Sequence, residues 1–168
     1  DASHQHVDFV REYGNDIYYG DGTRLDLLEA AGVADARVVV LAIDDVKDSL
    51  RAAELVRERY PSVDVVARAR NRKHAHQLMD LGVRMIQRET LRSAAEAARQ
   101  VLEQLGMSHE QATSTAEAFL AHDERRLLND HSVHDQADQL RSKAKAAAQE
   151  LEDMFARDAA ELQEVIKS

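Results

Sequence analysis

The 168 residues include no cysteine, no tryptophan, a single proline and only six glycines. Without cysteine there is no disulfide, no thiol nucleophile and no thiolate for a metal, a usage that suits a reducing compartment. Aromatic residues make up 4% of the chain, and no run approaches the roughly twenty apolar residues that a membrane span needs. The segment is therefore expected to be soluble as it stands. Positive charge is also scarce. Twenty-two Lys and Arg stand against thirty-one Asp and Glu, a formal net charge of -9. No basic patch of the kind that displaces counterions from a phosphate backbone is evident, so nucleic acid is not an expected partner.

Catalytic machinery is missing too. No serine sits in a strained elbow and no carboxylate pair flanks an evident pocket. A hydride-transferring enzyme would follow its cofactor domain with a substrate domain carrying a proton donor, whereas here the chain turns into charged helix. The expectation is a protein that senses a ligand and catalyses nothing, with no catalytic residue.

What is present has a clear order. The 44% apolar content supplies a core of ordinary size, and the helix breakers concentrate in the first half. Val7, Phe9, Val10 and Tyr13 recur at helical spacing before Gly14, and Ile17-Tyr18-Tyr19 reads as a strand. Arg24 to Ala31 reads as a short helix. The run Val38-Val39-Val40-Leu41-Ala42-Ile43 reads as a strand buried on both faces. Helix is expected over 48–60, closed by Pro61, strand over 63–69, helix over 73–81 ended by Gly82, and strand over 83–86.

Strands separated by helices predict a parallel sheet with right-handed crossovers. From Thr90 the pattern changes to helix alone. Leu91, Ala94, Ala95, Ala98, Val101, Leu102 and Leu105 form an amphipathic stripe ended by Gly106; Ser108 caps a following helix through Leu120. A last helix from about Asp135 carries an apolar stripe that wants a partner, in its own domain, in another copy or in another protein. The fold class is α/β: a Rossmann-like parallel sheet, whose first strand-helix unit is absent from this chain, over residues 1–106, then an all-helical extension over 107–168.

Gly20-Asp21-Gly22-Thr23 and Ile43-Asp44-Asp45 each follow a strand-like run. In an open α/β sheet, ligands sit in the crevice outside the carboxyl ends of the strands, so acidic residues in two successive turns read as a nucleotide pocket. Each motif also has a structural reading, as turn chemistry or as a helix cap. Arg68 and Arg70 end a strand, and Arg88 stands beside a helix start. Such arginines fork onto a carboxylate or phosphate, or form an ion pair with Glu89 or Asp44. His74 and His76 point to different faces of a helix. His131 and His134 share a face but have no third ligand at a recognisable spacing, so no metal is proposed.

Tyr19 to Gly32, Ala42-Ile43-Asp44-Asp45, Ala67-Arg68-Ala69-Arg70 and Arg88-Glu89-Thr90, in this order and spacing, closely resemble the cytoplasmic regulatory domain of Kef-type glutathione-gated potassium efflux systems. The likeness runs from Asp1 to about Phe119. It implies a Rossmann-like potassium-conductance regulator that forms a homodimer beneath a membrane antiporter domain of the same polypeptide, at the cytoplasmic face of the bacterial inner membrane. It further implies an adenine nucleotide (AMP or NAD(H)) and glutathione as regulatory ligand.

Carried over by that resemblance, Asp1 meets the ribose hydroxyls, Asp21 and Thr23 form the second nucleotide turn, and Ile43 with Asp44 the third. Arg88 contacts glutathione, and Asp123 falls where one branch of the family has a glutathione-binding asparagine. A carboxylate cannot donate as an amide does, so Asp123 would face the ammonium end of glutathione or accept another ligand pose. Tyr13 matches a gating aromatic that a bulky S-substituent displaces. The last helix offers a place for the family's ancillary flavin-containing oxidoreductase. The other readings are a regulator of a different potassium transporter that ignores glutathione, a dehydrogenase fragment, and a purely structural dimerisation module.

Overall fold

A computed structural model describes residues 12, 20–136, 141 and 143–156. Asp1, Tyr13 and the expected strand over 17–19 lie outside these. The chain divides into two compact units, 1–88 and 89–168.

In the first unit, α1 (Leu25–Ala30) leads through a 3-10 turn to β1 (Val38–Leu41), α2 (Val46–Arg59), β2 (Asp64–Ala69), α3 (Arg72–Asp80) and β3 (Met85–Arg88). The strands pair in parallel in the order β1-β2-β3, with Leu41 beside Ala67 and Ala69 beside Arg88. The β-branched run of β1 favours the pleated conformation, and each helix has a local reason to begin. Asp45 caps α2, its carboxylate accepting from the N–H groups of Lys47 and Asp48. Asn71 caps α3 by accepting from the N–H of His74 at 2.9 Å. Helix α3 ends in a Schellman motif. Val83 N–H donates to Leu78 and Gly82 N–H to Met79, with Gly82 at φ 77°, a left-handed conformation that suits glycine.

Parallel strands joined by two right-handed crossovers in the order 1-2-3 place both helices on one face of the sheet. Val65, Ala67 and Ala69 of β2 point into that layer and are buried, as are Ala52, Ala53 and Val56 of α2 and Ala75 and Leu78 of α3. Among the described residues the opposite face carries exposed apolar side chains. Val38 is 47% and Val40 68% exposed, and Met85 joins them at 43%. The expected burial of β1 on both faces is therefore corrected. Only one face of this sheet receives helices from its own crossovers.

The second unit is helical: α4 (Leu91–Gln104), α5 (His109–Asp130), a 3-10 turn (His131–Val133), and α6, which we number over residues 143–156. The sequence reading placed the boundary at 106; compactness places α4 with the second unit because α4 packs on α5. Helix α4 also closes on a Schellman motif, Met107 N–H to Leu102 and Gly106 N–H to Glu103, with Gly106 at φ 102°. Ser108 begins α5 with a reciprocal capping box to Gln111. Helix α5 runs ten residues past the expected Leu120, because no Gly or Pro interrupts it. Among the described residues no helix is long and apolar enough to cross a membrane.

Candidate functional site

The carboxyl ends of β1, β2 and β3 open on one edge of the sheet, which the segments after β1 and β2 and the turn before α1 line. Asp21 organises the last of these. Its carboxylate accepts the N–H and the hydroxyl of Thr23, both at 2.8 Å, while its carbonyl accepts the N–H of Arg24. Those two hydrogen bonds from Thr23, aided by Arg51 and Arg24, hold the exposed Asp21 carboxyl below its usual range. Asp21 is thus a charged acceptor at the mouth of the crevice, and Thr23, 8% exposed, is its anchor.

The second turn comes to the first. A Cβ added to Gly22 would lie 3.8 Å from Cδ1 of Ile43, so the Asp21–Thr23 and Ile43–Asp44 turns are neighbours. Ile43 is half-buried. The adjacent aspartates divide two tasks. Asp45 caps α2, and Asp44 pairs with the guanidinium of Arg68, which also donates to the carbonyl of Ala42 at 2.8 Å. Arg70 donates to the carbonyl of Asp44 at 3.3 Å. Two arginines of β2 and its following turn thereby pin the turn after β1. For Arg68 the ion-pair reading of the sequence, with Asp44, is the one observed. The pair is a surface one, with Asp44 78% exposed, and contributes about 0–1 kcal/mol; its value is positional.

His74 supports the same edge from beneath. Its Nδ1 accepts the N–H of Arg70 at 3.2 Å, which assigns the ring hydrogen to Nε2, and the side chain is 1% exposed. Burial, with Arg70 nearby, pushes its pKa below the ordinary value. The sequence offered His74 only as half of a discarded metal pair. Nothing in the spacing indicates that its ring turns back to the residue four positions before it.

Among the described residues the crevice presents the carboxylates of Asp21 and Asp44 beside the side chain of Ile43. The adjoining groove of about 620 Å³ between α1 and α2 carries Asp26, Glu29, Glu54 and Glu58 against Arg24 and Arg51, a balance that disfavours anions.

Arg88 ends β3 beside Ala69 and is half-buried in the first unit; Asp123 is half-buried midway along α5 in the second. The α4–α5 turn is clamped by Arg99, which donates to Glu96 and Glu103 at 2.6 Å and meets Nδ1 of His109 at 3.2 Å. Arg99, then Gln100, hold the Glu96 carboxyl down to about 2. His131 and His134 stack, their ring centroids 5.6 Å apart.

Comparison with known proteins fits this architecture. A profile described as TrkA-N domain matches residues 1–89, and one described as potassium efflux system KefB C-terminal domain matches 93–167. The chain is 42% identical over 119 residues to the glutathione-regulated potassium-efflux system protein KefC of Salmonella arizonae, and 41% identical to that of Salmonella newport. Each match covers 71% of this chain and 19% of the relative, so the chain spans about a fifth of the length of these curated relatives. A solved structure described as Shewanella denitrificans Kef CTD in AMP bound form matches with a TM-score of 0.69 and 40% identity, covering 71% of this chain and 75% of that one.

Proposed function

The chain belongs to the TrkA-N domain family, as the regulatory C-terminal part of a Kef-type system, and from that premise we propose that it is the ligand-sensing domain of a glutathione-gated potassium efflux antiporter. In this reading glutathione holds the antiporter inhibited, glutathione S-adducts activate it, and a resident adenine nucleotide, AMP or NAD(H), is structural. The observation that carries the reading is the joined pair of turns, Asp21–Thr23 against Ile43–Asp44, in a chain that aligns over 71% of its length with an AMP-bound Kef domain.

Asp21, Thr23, Ile43 and Asp44 hold the nucleotide, with Asp1 on the ribose. Arg88 and Asp123 bind glutathione, and Tyr13 gates. Only a ligand with different affinity for two states shifts their balance, which is the part played by the bulk of an S-substituent. No residue is assigned a catalytic role. Glutathione and its S-adducts act as regulators of transport.

The domain works as a homodimer joined to a membrane antiporter domain of the same polypeptide at the cytoplasmic face of the bacterial inner membrane, with a flavin-containing oxidoreductase as ancillary subunit. One feature supports dimerisation. Ala94, Ala98, Val101 and Leu105 recur along α4 and all are exposed, Val101 at 56% and Leu105 at 78%. Small residues with a terminal Leu suit close pairing with a second helix.

A second reading rests on Asp123. A carboxylate in place of an amide weakens any acceptor group of glutathione beside it, which favours a nucleotide-sensing regulator of another potassium transporter that does not bind glutathione. Calorimetry separates the two. Binding of glutathione and of a bulky S-substituted glutathione, both lost in Arg88→Ala, is the expected result; AMP binding without either thiol ligand would leave the second reading.

A further inference from the structure

The second unit contains a seam that is built like a helix-packing interface and is not filled like one. His122, Arg125, Arg126 and Asn129 stand on α5 at the i, i+3, i+4, i+7 spacing of one helix face, with Asp130 adjoining. Lys143, Ala146, Ala147 and Glu150 repeat the same spacing on α6. Two facing stripes of this kind normally interdigitate apolar side chains. Here one is polar and cationic and the other has two alanines at its centre, and between them lies a groove of about 500 Å³.

The sign of the groove runs against its surroundings. Residues 89–168 carry sixteen Asp and Glu against nine Lys and Arg, yet two guanidinium groups, an ammonium and an imidazole converge on this one seam. Its two carboxylates offset part of that charge: Asp130, 5% exposed, lies 3.5 Å from Nε of Arg126, and Glu150 is exposed on the rim. Lys143 donates to the carbonyl of Asn129 at 2.8 Å, which ties α6 to α5 and fixes the ammonium at the wall. Arg125 and His122 have no partner among the described residues. Arg125 stands beside Lys143 on a groove that is open to solvent, so an anion placed between the helices meets both cations.

We propose that the α5–α6 seam binds a small organic anion carrying carboxylate or phosphate groups. The volume lies in the range of small-ligand sites. Planar guanidinium forks suit either group, and the alanines leave room for an apolar stem. This site lies wholly in the second unit and shares no residue with the nucleotide turns, Arg88 or Asp123.

The test is a titration of the 15N-labelled 168-residue protein with citrate and separately with inorganic pyrophosphate, in the presence of AMP, followed by amide chemical shifts. Shifts concentrated at 122–130 and 143–150 are expected, from citrate if the site takes carboxylates and from pyrophosphate if it takes phosphates. The Arg125→Gln/Lys143→Gln double variant should weaken the affinity about tenfold or more. Ala146→Leu, which fills the seam with carbon, should block binding and raise Tm. Two results would overturn the proposal: neither anion shifts these amides, or the double variant binds as tightly as the parent chain.

Discussion

The two units differ in how fully they bury apolar residues, although Val38, Val40 and Met85 of the first are exposed as well. In the first, Ala52, Ala53, Val56, Ala67, Ala69, Ala75 and Leu78 reach zero exposure within a layer of two helices on a sheet. In the second, Ala95, Ala112, Leu127 and Ala147 are the buried apolar residues among those described, while Val101, Leu105, Leu128 and Phe155 face outward at 41% to 78%. A βαβ unit closes its own core because the crossover returns each helix to the sheet. Helices joined end to end have no such obligation. They leave apolar and charged stripes exposed among the described residues.

The strongest way to break this contrast is to open the core of the first unit. Leu78→Ala should destabilise the protein by about 2–5 kcal/mol in denaturant titration, because its site is fully enclosed and collapses only in part. A loss near zero would mean that the helix layer is not the stabilising element. Next in size is the cap of α2. Asp45→Ala removes acceptors for two helix N–H groups and should cost about 1 kcal/mol, whereas Asp44→Ala, which keeps the cap, should cost less and act on nucleotide affinity instead.

Acid should separate the units more finely. His74 is held neutral by burial, its folded pKa below the unfolded value, so its contribution is complete above the ordinary histidine range and falls as pH drops through about 6.5 and below. Glu96 also has a depressed folded pKa. Its contribution is present above about 4.5 and is lost only between there and about 2. Tm against pH should therefore soften first through the first unit. His74→Gln should remove the shoulder near neutrality and Glu96→Gln should flatten only the acid limb; an unchanged shoulder in His74→Gln would discard the assignment.

The smallest effect on stability should come from Leu105→Ser, within about 0.5 kcal/mol for the isolated fold because Leu105 is 78% exposed. The same change should weaken dimerisation, read by analytical ultracentrifugation. A stable dimer in the variant would mean that the α4 stripe serves another surface.

Much of the fold was legible because its signals are local. The β-branched run of β1, the caps at Asp45 and Ser108 and the stops at Gly82 and Gly106 each act within a few residues. The length of α5 was misjudged because an uninterrupted polar helix has no stop to read. Burial of β1 on both faces was misjudged because a continuous apolar run is the same whether one face or two are covered. Asp21, Thr23 and Asp44 were readable as turn residues, and the structure places their turns side by side. Arg51 and His74 were not readable, since their effects on Asp21 and Arg70 come from where a neighbouring helix or the ring itself is placed.

The family, the α/β order with its helical extension, and the acidic turns at the strand ends are written in the residue order, because periodicity, capping and turn chemistry depend on near neighbours. The tertiary structure alone decided that Asp44 answers Arg68 across twenty-four positions and that Gly22 rests near Ile43. It also decided which side of the sheet carries exposed apolar side chains and that a cationic stripe of α5 faces two alanines of α6. These depend on how elements distant in the chain are brought together, and the direction in which a side chain then points is set by packing that no local spacing encodes.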